Sequence, residues 1–101
     1  MNAGIIASRY AKAFLGYVME NAAGDNVYSQ ACTLVHMMNL LPQLKQYLEN
    51  QTDIPVARKV SLMSAALSAP LDDCISRFLK MVTYRHRTEY FPRMLLSFIE
   101  Q

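Results

Sequence analysis

The chain has 101 residues, of which 52% are hydrophobic and 18% charged, and its formal net charge at pH 7 is +2. This length makes one small domain with one core, and so weak a charge does not require a nucleic-acid partner. The two cysteines are too few for a disulfide framework or a four-cysteine zinc site, and no apolar run approaches the ~20 residues that cross a bilayer. Because no basic stretch precedes the first apolar residues, a secretory signal is not expected. The sequence therefore predicts a soluble globular domain of a reducing compartment.

The spacing of apolar residues predicts an all-α fold, a bundle of six helices without strands. The helices are expected at residues 3–21, 26–40, a short segment around 44–48, a segment opened by Asp53-Ile54-Pro55, residues 71–85, and a last segment from Phe91 onward. Helix one is expected to stop at Ala22-Ala23-Gly24, with Asp25 or Asn26 as the N-cap of helix two. Pro42 ends helix two, since proline disfavours the helical conformation of the residue before it.

The starts of the later helices carry residues that suit a helix N-terminus. Pro55 is expected in the first turn of helix four, where its missing N–H costs nothing. Asp72 and Asp73 lie at the start of helix five, close to the positive end of its dipole. After a turn near residues 86–88, Pro92 falls in the first turn of helix six, where it is tolerated.

Helices one and five are more apolar than packing on one side requires. At ~100° per residue, the apolar residues of helix one cover roughly 200°, and those of helix five about 160°. A surface helix usually shows an apolar stripe only ~100° wide. Two interpretations are open at this point: helix one is the central helix of the bundle, or part of its arc forms an exposed groove for an apolar helix of a partner.

The chain carries three short motifs, at residues 8–14 (SRYAKAF), 53–59 (DIPVARK) and 78–82 (FLKMV). Their order and spacing resemble the delta subunit of F-type ATP synthases, whose mitochondrial counterpart is the oligomycin-sensitivity-conferring protein. Residues 8–14 (SRYAKAF) resemble the family's opening "ARRYAKALF", and residues 53–59 (DIPVARK) resemble its "P-x-I-x-x-x-x-K". Residues 78–82 (FLKMV), with the following Arg87 and Phe91-Pro92, resemble its "F-L-x-x-L…N-G-R…L-P" segment. The chain departs from the family at Arg85-His86, where Asn-Gly is frequent, and at Gly16 within helix one. The resemblance covers the whole chain but only the family's amino-terminal six-helix domain, so a fragment lacking the carboxy-terminal region is expected.

The resemblance implies a non-catalytic stator subunit without a cofactor. Its partner would be the amino-terminal helix of an alpha subunit, held in a groove between helices one and five. The groove residues carried over from the family are Tyr10, Ala13, Phe14, Tyr17, Tyr28, Ile75, Phe78, Leu79, Met81 and Val82. Of these, Tyr10 and Phe78 are expected to contribute most to binding. The resemblance also implies contact with the b-subunit stalk through the missing region, a peripheral location on the cytoplasmic face of the bacterial inner membrane, and a monomeric isolated domain.

Other kinds of site are weaker interpretations of the same sequence. Cys32 and His36 lie four residues apart, as metal ligands do, but a zinc site needs two more ligands and no metal is expected. The run from Lys80 to Arg93 interleaves basic and aromatic residues, which indicates either a nucleic-acid surface or a solvated helix end. A helical adaptor, or a self-associating module that buries helix one in a homodimer, also stays open.

Overall fold

Six α helices lie in the part of the chain, residues 3–50 and 54–101, that a computed structural model describes. They are α1 (Ala3–Glu20), α2 (Gly24–Leu40), α3 (Pro42–Glu49), α4 (Val56–Leu67), α5 (Asp73–Tyr84) and α6 (Phe91–Ile99), with a 3₁₀ turn at Thr88–Tyr90. No strand occurs in these two stretches, so the predicted all-α, six-helix fold is confirmed. No helix within them is long and apolar enough to cross a membrane.

The core is built around α6, which packs against α1, α2 and α3. Five of the nine residues of α6 are buried, whereas only five of the eighteen residues of α1 are. The buried stripe of α1 consists of Ile6, Ala7, Ala11, Phe14 and Val18. The most deeply buried helix is therefore α6, and much of the apolar arc of α1 lies outside the core.

α1 ends in a Schellman motif that contains no glycine. Ala22 has a left-handed φ of 52°. Its amide donates to the carbonyl of Met19, and the amide of Ala23 donates to the carbonyl of Val18, both at 3.2 Å. These are the two hydrogen bonds of the motif, which usually places glycine at the left-handed residue. The chain thus reverses at Ala22, within the predicted stop at Ala22-Ala23-Gly24, and α1 ends at Glu20, one residue before the predicted Asn21.

α2 consequently begins earlier than predicted. Gly24 is its first residue, and Ala23 occupies the N-cap position without a side-chain hydrogen bond. The prediction of Asp25 or Asn26 as the N-cap is therefore wrong. The physical reason is that Ala22 completes the reversal, so helical geometry resumes before either polar residue is reached.

A hydrogen-bond network fixes the loop that leads into α5. The side chain of Gln30 in α2 donates to the carbonyl of Pro70 at 3.0 Å and accepts from the amide of Asp72 at 2.7 Å. Asp72 is the N-cap of α5, since its carboxylate accepts from the amide of Cys74 at 2.8 Å. Its other oxygen accepts from Asn26 at 2.6 Å. The network places the N-terminus of α5 beside the start of α2, and it confirms that Asp72 suits this helix start.

A buried lysine joins α3 to α4. Lys59 is 1% exposed, and its ammonium group donates to the carbonyl of Leu48 at 3.0 Å and to the carbonyl of Asn50. These carbonyls lie at the C-terminus of α3, where a cation is favoured by the helix dipole. Burial lowers the pKa of Lys59. The lysine of the second family motif is thus a structural residue that caps α3.

The start of α4 differs slightly from the sequence-based prediction. Pro55 is the N-cap residue with an extended ψ of 149°, and not a member of the first helical turn. Its carbonyl accepts from the amide of Lys59 at 3.2 Å, so proline still stands where a missing N–H costs nothing. Asp53, the predicted opening residue of this segment, lies outside the described residues.

Candidate functional site

An open cleft of about 340 Å³ lies between α1 and α5. Its lining comes from two helices and is almost entirely apolar: Ala13, Phe14, Tyr17, Arg77, Phe78 and Met81. On each helix these residues recur at steps of one, three or four, so they share one face. The cleft is therefore where the apolar arcs of the two helices meet at the surface.

Two stacked phenyl rings form the floor of the cleft. The ring centroids of Phe14 and Phe78 are 4.2 Å apart, with 12° between the ring planes. Behind them, Phe98 lies 5.0 Å from Phe14 and Phe91 lies 6.0 Å from Phe78. Because the floor continues directly into the core, its shape is set by packing and is preformed.

The rim of the cleft carries one polar bridge. A guanidinium nitrogen of Arg77 donates to the hydroxyl of Tyr17 at 3.4 Å, which links α5 to α1. The Nε of the same arginine lies 2.9 Å from a carboxylate oxygen of Asp73, one turn earlier in α5. The Tyr17 hydroxyl and then the Asp73 carboxylate raise the pKa of Arg77. A cation thus stands beside an otherwise apolar cleft.

The structure brings together five of the ten residues that the resemblance assigned to a partner groove. Ala13, Phe14, Tyr17, Phe78 and Met81 line the cleft. Met81 is 38% exposed, so an apolar side chain at the rim is open to solvent. These five residues define the candidate site.

Three of the assigned residues lie beneath the cleft. Ile75, Leu79 and Val82 have no exposed surface and belong to the core. They recur at steps of four and three along α5, one stripe inward of the cleft residues. With the bundle in this conformation they support the floor and offer no surface to a partner.

The remaining two assigned residues are tyrosines outside the cleft lining. Tyr10 is half-buried against the core. Tyr28 is 50% exposed on α2, where a side-chain hydrogen bond with Cys32 raises the pKa of its hydroxyl. Conversely, the cleft includes Arg77, which was not assigned from the sequence. Its spacing of four residues from both Asp73 and Met81 is the sequence signal that locates it on this face.

A second, larger depression is chemically different. It measures about 520 Å³ and combines apolar residues with charges of both signs, among them Lys45, Glu89 and Arg93. The α1–α5 cleft, with its almost entirely apolar lining, is thus the more uniform of the two surfaces.

Within residues 3–50 and 54–101, no three His, Cys, Asp or Glu side chains lie close enough to share a metal ion.

Fold and cleft place the protein in the class of helical bundles with an open apolar groove between two helices, a geometry that accepts an amphipathic helix. The chain belongs to the ATP synthase delta (OSCP) subunit family, whose model matches residues 6–101. The resemblance drawn from the three sequence motifs is thereby confirmed.

Curated relatives agree with this assignment. Proteins named ATP synthase subunit delta are 33% identical over 101 residues in Phocaeicola vulgatus and 28% identical over 102 residues in Bacteroides thetaiotaomicron. A third, in Carboxydothermus hydrogenoformans, is 28% identical over 96 residues. The matches cover 99%, 99% and 95% of this chain but 54%, 54% and 53% of the relatives. The chain therefore spans about half the length of the curated relatives it matches. No solved structure gave a significant match.

Proposed function

We propose that this chain is the helix-binding part of the stator, or peripheral stalk, of a proton-translocating F-type ATP synthase. The cleft between α1 and α5 holds the amphipathic amino-terminal helix of an alpha subunit, and the chain catalyses no reaction itself. Membership of the delta subunit family supports the stator role. The observation that carries the binding proposal is the open apolar cleft floored by Phe14 and Phe78.

The role is mechanical, and the cleft suits it physically. Torque from a rotor would spin the catalytic head unless a static link resisted it. Apolar anchors that lose water in a preformed groove give tight, slowly dissociating complexes. Because the Phe14–Phe78 stack rests on Phe91 and Phe98, little order has to be gained when a partner enters, and more of the contact energy appears as affinity.

The remaining partner and the location follow from the same proposal. We assign contact with the b-subunit stalk to the carboxy-terminal region of the delta subunit family, which the sequence of this chain does not cover. The assembled subunit is then peripheral, on the cytoplasmic face of the bacterial inner membrane.

The proposal is tested by an NMR titration of the chain with a synthetic peptide of the alpha subunit's amino-terminal helix. Saturable shifts should concentrate on amides of residues 13–17 and 77–81. A folded monomer without shifts would contradict the proposal. A stable homodimer that buries α1 would instead favour the self-associating module.

A matched pair of substitutions locates the binding surface. Met81→Ala should weaken peptide binding about fivefold or more, roughly 1 kcal/mol, because it removes an apolar anchor at the rim. Met19→Ala makes the same change on α1 at a side chain that is 67% exposed and does not line the cleft. It should leave the affinity unchanged. Phe78→Ala should weaken binding further, but at 5% exposure it also removes core contacts, so Met81 gives the cleaner measurement.

A further inference from the structure

The end of the cleft at which α5 stops carries basic side chains. Lys80 lies exposed near the end of α5, just before its last turn, and Arg85 and His86 follow the helix, also exposed. Tyr84 stands among them and is 83% exposed, the largest value among the exposed large hydrophobic residues of the described chain. We call Lys80, Tyr84, Arg85 and His86 the basic end of the cleft.

α1 runs antiparallel to α5, so its own charges divide between the two ends. The start of α2, which follows α1, touches the N-cap of α5 through the hydrogen bond from Asn26 to Asp72. At the other end, Ala3 shares the second depression with Tyr90, which follows α5. Arg9 is exposed in the half of α1 that points towards the basic end.

The opposite end of the cleft is acidic. Glu20 closes α1 there and is exposed. Asp73 opens α5 and is already paired with Arg77. The charges therefore change sign along the cleft, from carboxylates at the N-terminus of α5 to cations at its C-terminus.

The basic end is continuous with the cleft. Asp73, Arg77, Met81 and Tyr84 follow one another at steps of four, four and three residues, which places them on one face of α5. A helix that fills the cleft and continues along this face passes Met81 and then Tyr84. Lys80 precedes Met81 by one residue, on the flank of this face, and Arg85 comes directly after Tyr84.

The backbone holds these side chains in a fixed arrangement. His86 has a left-handed φ of 58°, and its amide donates to the carbonyl of Thr83 at 3.0 Å. The amide of Arg87 donates to the carbonyl of Val82, also at 3.0 Å. The helix therefore ends abruptly after Tyr84, and Arg85 and His86 are presented beside it.

The dipole of α5 alone does not explain the pattern. Cations at the C-terminus of a helix are favoured by its dipole, which accounts for Arg85 but not for Lys80, since Lys80 lies before the last turn. Arg9 lies in the first half of its own helix, where the dipole gives a cation no advantage. Nor does a dipole account for an apolar ring as exposed as that of Tyr84.

We propose that the helix held in the cleft carries carboxylates on the flank that extends past Tyr84, and that Arg9, Lys80 and Arg85 receive them. The inference rests on the proposed function and adds the chemistry of the bound helix. That helix carries an apolar stripe that fills the cleft, followed by an acidic flank. Complementary charge of this kind fixes direction and register and speeds association more than it adds raw affinity.

Two designed amphipathic peptides of about 18 residues, roughly five helical turns, test the inference. They share one apolar face and differ only in the flanking turn, which carries glutamates in one peptide and glutamines in the other. At low salt the glutamate peptide should bind at least about tenfold tighter, and the advantage should shrink in high salt because exposed charges are screened. A spin label beside the glutamates should broaden the amides of residues 84–87 and spare those of residues 72–73.

Charge reversal on the protein supplies the matched control. Arg85→Glu should abolish the preference for the glutamate peptide while leaving the glutamine peptide unaffected. Arg58→Glu, at an exposed position of α4, should preserve it. Equal binding of both peptides would overturn the inference and leave the cleft proposal standing, whereas no binding of either would overturn both. If a single-stranded oligonucleotide shifted the same amides at physiological salt, the basic end would be a nucleic-acid surface and the inference would be wrong.

Discussion

Phe14 and Phe78 each form part of the cleft floor and part of the hydrophobic core. Their rings stack to floor the cleft, yet they are only 3% and 5% exposed and pack on the core phenylalanines. A change at either residue therefore alters stability and binding together. At Met81 and Arg77, by contrast, the side chains stand at the rim, so their contributions to binding are separable from folding.

The left-handed residue Ala22 gives a prediction at the same scale. Ala22→Gly should raise the free energy of unfolding by about 1 kcal/mol, because glycine adopts a positive φ without the clash that an L side chain makes. Urea denaturation of both proteins measures the difference. The control is Ala23→Gly, one residue later, where φ is −106° and glycine should destabilise by about 0.5–1 kcal/mol. Equal effects at the two positions would contradict the assigned motif.

The sequence predicts which residues share the apolar face of a helix, but it does not predict which residues of that face are buried and which are exposed. The period of 3.6 places Phe78, Met81 and Ile75 in one apolar arc, but it does not say where the arc passes from core to surface. That boundary depends on which neighbouring helix covers it. Arg77 was missed because it is a charged residue beside an apolar arc. Its spacing places it on the face of Met81, and its contact with Tyr17 places it at the rim.

Among the elements, the junction between α3 and α4 depends on one buried side chain. Lys59→Met should lower the free energy of unfolding by about 1–3 kcal/mol, since the carbonyls of Leu48 and Asn50 lose a charged donor. Lys45→Met, at an exposed lysine of α3, should change it by less than about 0.5 kcal/mol. Chemical denaturation at neutral pH compares the three proteins. Similar stabilities for both variants would exclude a capping role for Lys59.

The same substitution carries a pH dependence. Burial lowers the pKa of Lys59 from its ordinary value of 10.5, so the folded protein releases this proton at a lower pH than the unfolded chain. Between the two pKa values the unfolded chain binds more protons, and the contribution of Lys59 to stability rises with pH. The margin of the native protein over Lys59→Met should therefore widen from neutral pH to about pH 10. A margin that stays constant or narrows would contradict the assignment.

Helix order could be predicted in full, whereas helix ends could be predicted only where a residue has a strong local effect. Pro42 and Asp72 mark boundaries by steric and capping effects that act within one turn. The end of α1 at Glu20 lies one residue from the predicted Asn21. The start of α2 was misplaced, because Ala22 gives no sequence signal for the left-handed conformation in which the chain reverses. His86 ends α5 in the same conformation, at the place where the family often has Asn-Gly. His86 thus adopts, with a bulky side chain, a backbone conformation that glycine or asparagine takes at least cost.

For the whole molecule, the burial of α6 explains why a short helix at the end of the chain organises the bundle. It packs against α1, α2 and α3, and the phenylalanines that support the cleft floor, Phe91 and Phe98, both belong to it. The sequence pattern had drawn attention to α1 because its apolar arc is wider. Part of the apolar arc of α1 packs in the core and part lines the cleft, whereas most apolar residues of α6 are buried in the core.

Two adjacent leucines of α6 turn this difference into a measurement. Leu95 has no exposed surface and Leu96 is 43% exposed, so the same truncation is made at a buried and at an exposed position one residue apart. Leu95→Ala should cost about 2–5 kcal/mol through lost burial and the cavity left behind, a large fraction of the 5–15 kcal/mol that holds such a domain folded. Leu96→Ala should stay within about 0.5 kcal/mol. Urea denaturation of each variant measures these losses. The peptide titration repeated on Leu96→Ala should give the affinity of the native protein, because its stability is native. Comparable losses of stability at both positions would mean that α6 is not the centre of the core, and the support it gives to the cleft floor would have to be assigned elsewhere.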